Sequence, residues 1–281
     1  MAVVPERRTL VIAGIGTAAG LFSGLFGVGG GVVMVPLLIL LLGMDERRAT
    51  ATSLAAIVLI ASAATVTQGA YGKLHVVEGL LVGVPAVAGV LVGTWVQQRI
   101  PARRVSLLFA LLLAVVAALM VAGVEPGGDD GGTRDALQIA AAIAIGLAAG
   151  VVSGLLGVGG GSLFVPGLAL LLGLPHVDAE ATSLLAIVPV SLVGSWRQHR
   201  YGNLDLRVGA LLGTLAIPGA LLGVVIVNAI PSRAVEIGFA ALLLFVSSQL
   251  GRRGLGRDDP PDAVADASRD DPFEAPTGPA R

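Results

Sequence analysis

The sequence contains no cysteine, which removes disulfides, thiol nucleophiles and Cys-ligated metals together. Charge is also scarce. Asp, Glu, Lys and Arg make up 13% of the 281 residues, about half the share expected of a soluble domain. That is too little to cover a water-facing surface. The formal net charge is −1, without the basic excess of a nucleic-acid binder, so no nucleic-acid partner is expected. The few charges leave long gaps at residues 9–44, 49–72, 79–98, 105–124, 136–177, 181–196 and 208–232. A spanning helix needs about 20 apolar residues, and every gap except 181–196 is long enough. The mean hydropathy is +0.88. These observations predict an all-α, polytopic transmembrane helical bundle. Glu6-Arg7-Arg8 followed by an apolar run resembles a signal peptide, but the run far exceeds the 7–15 residues of such a core.

What the chain has in plenty is glycine, and its placement repeats. With an offset of 130 residues, the segment Gly20-Leu-Phe-Ser-Gly-Leu-Phe-Gly-Val-Gly-Gly-Gly31 falls on Gly150-Val-Val-Ser-Gly-Leu-Leu-Gly-Val-Gly-Gly-Gly161. Val35-Pro36 falls on Val165-Pro166, Ala51-Thr52-Ser53-Leu54 on Ala181-Thr182-Ser183-Leu184, and Tyr71-Gly72 on Tyr201-Gly202. More than a third of the positions from Gly20 to Arg104 match without a gap, so the chain is a duplication. Residues 1–121 form transmembrane repeat one and 136–250 repeat two. Residues 122–135, rich in Gly and Asp, form an extracytoplasmic linker. Residues 251–281, rich in Asp, Pro and Ala, read as a disordered cytoplasmic tail.

The first uncharged run of each copy is too long for one helix and carries Gly-Val-Gly-Gly-Gly at its middle, a poor helix sequence. Each run is therefore expected to form two helical pieces around an unwound break, as a re-entrant hairpin or two thin crossings. Three ordinary spans follow in each copy. The crossings per copy are then odd, and the copies are inverted. With the N-terminus inside, this places Arg7, Arg8, Arg47, Arg48, Arg99, Arg103, Arg104, Arg197, Arg200, Arg207, Arg252, Arg253 and Arg257 in the cytoplasm, against Lys73, Arg134 and Arg233 outside. Parallel copies would move Arg47, Arg48, Arg99, Arg103 and Arg104 outside, so the positive-inside rule favours inversion. His176-Val-Asp-Ala-Glu180 then reads as an outer loop.

Inverted repeats with broken helices place a substrate site near mid-membrane, where half-helix ends meet. Gly29, Gly30 and Gly31, with Gly159, Gly160, Gly161 and Ser162, would begin the two half-helices. Their backbone N–H groups and positive dipole ends suit a small anion without a charged side chain. Gly27, Pro36, Gly157 and Pro166 are assigned to shaping the breaks, the prolines lying early enough to be accepted near a helix start. The hydroxyls of Thr52, Ser53, Thr182 and Ser183 are candidates for lining the same cavity, or for capping the next helix. Gln68 and Gln198 suit interhelical hydrogen bonds, and Trp95 and Trp196 suit interface anchors. Gly20-xxx-Gly24, Gly79-xxx-Gly83, Gly89-xxx-Gly93 and Gly219-xxx-Gly223 suit close helix packing. His75, His176 and His199 read as surface loop residues. No carboxylate is expected near any midplane, which points to channel-like or uniport flux, or to a proton carried on the substrate itself. Gly27-x-Gly29-x-Gly31 lacks the strand and acidic residue of a dinucleotide site. No nucleophile–base pair or ligand cluster falls in the spans, so no enzyme activity, cofactor or metal is expected.

The doubled glycine segments at Gly24–Pro36 and Gly154–Pro166, the Ala-Thr-Ser that follows each, and Arg200-Tyr-Gly-Asn-Leu-Asp-Leu-Arg207 resemble the sulfite exporter TauE/SafE family over about residues 8–250. The resemblance implies transport of small sulfur-containing anions such as sulfite or organosulfonates. Copy one departs from the loop pattern at Ala70-Tyr-Gly-Lys-Leu-His-Val-Val77. The expected partners are a small anionic solute and the lipid bilayer of the plasma or inner membrane, with both termini cytoplasmic. The alternatives are a permease for a neutral or cationic solute and a non-transporting scaffold. Nothing in the sequence excludes a homo-oligomer.

Overall fold

A computed structural model describes residues 6–99 and 136–255, with scattered positions between 107 and 118. Among the described residues the chain is helical, without strands. Copy one gives α1 (Glu6–Phe26), α2 (Gly31–Leu42), α3 (Glu46–Ala70) and α4 (Val76–Gln97). Copy two gives α5 (Ala136–Leu156), α6 (Gly161–Leu172), α7 (His176–Arg200), α8 (Leu206–Ala229) and α9 (Ser232–Leu255). Residues 107, 110, 111, 114, 115, 117 and 118 are helical, at the place of the third ordinary span expected in copy one; the rest of that span, the linker and residues 256–281 lie outside the described residues. Helix α9 continues past the expected tail boundary at residue 251 to Leu255.

Local chemistry sets the boundaries. Asp45 caps α3 by accepting the Arg48 N–H at 2.8 Å, and Asp205 caps α8 by accepting the Val208 N–H at 3.0 Å. Gly43 and Gly173 end α2 and α6 in the left-handed conformation, each donating its N–H back to the carbonyl of Leu38 or Leu168. Among the described residues, α1, α3, α4, α5, α7 and α8 contain stretches long and apolar enough to cross a bilayer. With 12 residues each, α2 and α6 do not: at about 1.5 Å per residue they reach only ~18 Å of a ~30 Å hydrocarbon core. Each glycine-broken run is thus one long arm and one short returning arm.

The copies interlock. Helix α1 packs mainly on α8, and its equivalent α5 packs mainly on α4. These pairs run parallel: Gly16, Gly20 and Gly24 meet Leu212, Ala216 and Ala220, while Gly146, Gly150 and Gly154 meet Val82, Ala86 and Val90. Small residues let the backbones touch there. The Gly-xxx-Gly pairs at 20/24, 89/93 and 219/223 all face neighbouring backbone, and Gly79 and Gly83 face α7. Helices α3 and α7 are the most enclosed spans, with 61% and 67% of their apolar windows buried against 39% for α1. They pass each other in opposite directions, since Gly194 meets Leu54 while Ile57 and Ile187 meet near the middle of both helices. The equivalent helices α3 and α7 therefore point opposite ways. Leu10, Leu40, Val66, Val84, Leu192 and Phe245 remain exposed on the outside, as lipid-facing positions do.

Candidate functional site

The two glycine breaks come together at the centre of this bundle. Helix α1 ends where Gly27 turns left-handed at φ 63°, and Gly29 and Gly30 follow at 79° and 78°. Gly157, Gly159 and Gly160 repeat the pattern at 70°, 85° and 85°. Only glycine adopts this region without steric cost. A Cβ at Gly29 would touch both Ile57 and Ile187, and one at Gly159 would touch the same pair. Gly31 lies against the Gly157 carbonyl, and Gly161 lies against the Gly27 carbonyl. Thus Gly29, Gly30 and Gly31 are brought to Gly159, Gly160 and Gly161, all buried, at the level where α3 and α7 cross. The first turns of α2 and α6 begin here; Val33 and Met34 donate back to the Gly30 carbonyl and Leu163 and Phe164 to the Gly160 carbonyl, which leaves the N–H groups of Gly31, Val32, Gly161 and Ser162 without an intrahelical acceptor.

The serines of the Ala-Thr-Ser segments hold the breaks crosswise. Ser53 of α3 donates to the Gly157 carbonyl at 2.7 Å, with the Thr50 carbonyl at 2.8 Å as its alternative acceptor. Ser183 of α7 donates to the Gly27 carbonyl at 2.5 Å, with the Glu180 carbonyl at 2.8 Å as the alternative. The adjacent threonines contact other helices. Thr52 packs against Gly209 of α8, while Thr182 packs against Gly79 of α4 and accepts the His75 N–H at 3.1 Å. Ser162, second residue of α6, is fully buried and its hydroxyl has no protein partner among the described residues. Pro36 and Pro166 sit inside the half-helices and leave the carbonyls four residues earlier, those of Val32 and Ser162, without a helical donor.

A family model for the sulfite exporter TauE/SafE matches residues 2–120 and 142–277. The chain belongs to that family. A probable membrane transporter protein, YdhB of Bacillus subtilis (strain 168), is 30% identical over 95 residues. That match covers 34% of this chain and 38% of the relative's length.

This TauE/SafE member is a multi-pass membrane protein, and its spans hold a group that sequence reasoning missed. His176 and Glu180 are not in an outer loop. They form the first turns of α7 and are buried, Glu180 completely. His176 Nε2 lies 3.3 Å from Glu180 Oε1, at ion-pair distance but without hydrogen-bond alignment. Neither carboxylate oxygen has a protein hydrogen-bond partner among the described residues. The Glu180 backbone and Cβ occupy the place where a Cβ of Gly27 would go. Seven residues from Ile187 at about 1.5 Å each puts Glu180 ~10 Å from mid-span, inside a hydrocarbon half-thickness of ~15 Å. The expectation of no carboxylate concerns the midplane, from which Glu180 is well removed; its burial corrects the outer-loop reading of this segment. The available signal was register: Glu180 lies three residues before Ser183, one turn back on the face that meets the break. Of the other histidines, His75 lies in the turn before α4 as expected, and His199 is exposed but helical. His75 sits at the N-cap position of α4, 3.0 Å from Asp178, and His199 lies in the last turn of α7.

The interhelical bonds expected of the glutamines are seen at the helix ends. Gln198 donates to Gln97, and Gln68 accepts from Asn228 at 3.0 Å, both between helices. Trp95 and Trp196 are exposed near helix ends, each under a guanidinium, Arg99 at 3.7 Å and Arg200 at 4.6 Å from the ring centroid. At the same end of the bundle, where α1, α3 and α8 begin, a cleft of about 760 Å³ is lined by Arg8, Arg48 and Arg207 with Asp45 and Asp205. The equivalents of those arginines in the other copy are Gln138, Asp178 and Val77.

Proposed function

We propose that this protein transports small anions of the sulfite or organosulfonate type, bound where the two glycine breaks converge. The observation that carries this reading is the meeting of the α2 and α6 N-termini between Ile57 and Ile187, with the unpartnered Ser162 hydroxyl in the first turn of α6. Converging half-helix N-termini offer N–H donors and positive dipole ends. A cation would need carbonyl oxygens instead, and the Gly27 and Gly157 carbonyls are engaged by Ser183 and Ser53. The family's name points to the same chemical class.

The two copies are inverted repeats across the bilayer in this reading, supported by the opposite directions of α3 and α7. The arginine-lined end faces the cytoplasm, as the positive-inside rule requires, and so does the N-terminus. Its cleft gathers anions from the inside, while the other end lacks the matching arginines.

Ser162 provides the test. Copy one has Val32 at the equivalent position, so Ser162→Val inserts a side chain the fold already accommodates. A hydrogen bond to a charged group contributes about 1.5–3 kcal/mol, so sulfite affinity in proteoliposomes should fall roughly tenfold or more. The melting temperature should not drop, because the Ser162 hydroxyl has no protein partner among the described residues. Unchanged affinity would remove Ser162 from the site. Failure of the wild-type protein to move any sulfur oxyanion would overturn the anion reading itself.

A further inference from the structure

The buried Glu180–His176 pair is under-satisfied for a purely structural ion pair. A paired structural carboxylate is normally hydrogen-bonded through its free lone pairs, and an unsatisfied one is costly to keep charged. Here, among the described residues, neither oxygen has an aligned hydrogen-bond donor, and His176 at 3.3 Å is the ion-pair contact. The pair is also absent from copy one, where Glu46 and Thr50 stand at the equivalent positions. Position adds a second observation. Glu180 backs directly onto Gly27, and Gly27 in turn touches Gly161, the residue before Ser162. Glu180 therefore backs, through its backbone and Cβ, onto the glycine break that the anion reading assigns to substrate, with its carboxylate turned toward His176.

We propose that Glu180, with His176, is a proton-binding site linked to occupancy of the glycine breaks, so that an anion bound there is carried together with a proton. The inference rests on the anion reading given above. Two like charges this close disfavour each other, and a proton on Glu180 removes the repulsion. Anion binding then promotes proton binding, and by reciprocity a bound proton raises anion affinity by the same factor. Across about 10 Å at an effective dielectric of ~20, that factor is roughly an order of magnitude. His176 lies one turn nearer the end of α7 and tilts against Phe239, with ring centroids 5.6 Å apart, so it connects Glu180 toward the aqueous end of the helix.

Among the described residues, the other titratable groups at this end are Tyr71, Lys73 and His75 before α4, Glu78 in its first turn, Asp178 of α7, and Arg233 and Glu236 of α9. Asp178 holds Lys73 at 3.4 Å and His75 at 3.0 Å, and on α9 Arg233 holds Glu236 at 3.0 Å. Helix α1 brings Phe26 to this end and the break brings glycine and valine, without a charge. Helix α8 brings Val227 and, further on, Asn228.

The experiment measures binding of methanesulfonate, an anion that does not itself titrate, to the full chain between about pH 5 and pH 8. Wild-type affinity should weaken by about tenfold as the pH rises, and E180Q should hold the low-pH affinity throughout. A pH-independent wild type, or a pH dependence that persists in E180Q, overturns the proposal. Glu180→Thr, which installs the copy-one residue, repeats the test should the glutamine variant fold poorly. A second arm needs no substrate. Infrared difference spectra should show a carboxylic-acid band that titrates in the wild type and is missing from E180Q. If that band is present and methanesulfonate does not bind, the anion reading fails while the proton site stands. If the band is absent, the proton site fails.

Discussion

At the scale of single residues, glycine carries the packing, but not every glycine carries it equally. At Gly150 a methyl group would run into the Ala86 carbonyl and at Gly20 into the Ala216 carbonyl, both backbone atoms that cannot step aside. Gly14 has nothing within 4 Å of its Cβ position. Gly20→Ala and Gly150→Ala should therefore each destabilise by about 1–3 kcal/mol or more, while Gly14→Ala should be neutral or slightly stabilising. Thermal unfolding of the three variants in detergent reads this directly, and equal melting temperatures would contradict it. These sites were legible from the four-residue spacing alone, because small residues at that period lie on one helix face. Glu180 was not legible in the same way. Its neighbours His176 and Asp178 made the segment look like a solvated loop, and only the tertiary contact with Gly27 shows why an acid there is enclosed.

At the scale of elements, the hairpin is set by where the break falls. Helix α1 extends past mid-span before Gly27 turns it, and Gly30 comes back to the level of Ala19 before α2 begins. The glycine string announced a break, yet either a re-entrant arm or two thin crossings satisfied the sequence. The choice follows from Gly43 and Gly173, which stop the returning helices after 12 residues. What pins the breaks is the crosswise pair of serine hydroxyls. Removing either leaves a buried glycine carbonyl without its partner, at a cost of about 1–3 kcal/mol. Ser53→Ala and Ser183→Ala should thus lower stability by similar amounts, since the two bonds are equivalent. A Thr52→Val change, on the face toward α8, should cost less, because the Thr52 hydroxyl has no protein partner among the described residues. Chemical denaturation of the three variants would test the ordering. A larger loss at Thr52 would mean that the serines do not hold the site.

At the scale of the whole molecule, the charges and the helix directions must agree on one orientation, and they can be tested together. Helices α3 and α7 are equivalent in sequence and antiparallel in space, so the turns that follow them lie at opposite ends of the bundle. Tyr71 and Tyr201 are equivalent residues in those turns, both exposed, with φ of −85° and −82° that any residue can adopt. Arg197 and Arg200 stand beside Tyr201, while Lys73 follows Tyr71. Because the sequence has no cysteine, Tyr71→Cys and Tyr201→Cys each introduce the only thiol in the chain. His176, a natural choice from sequence, is buried and would report accessibility instead of sidedness. A membrane-impermeant maleimide added to intact cells should label Tyr71→Cys and spare Tyr201→Cys, and inverted vesicles should give the reverse. The positive-inside rule fixes which end is which; the antiparallel helices require only that the two differ. Swapped labelling would therefore overturn the orientation and keep the inverted repeats. Labelling of both from one side would overturn the repeats themselves, and with them the meeting of two half-helix N-termini on which the anion site depends.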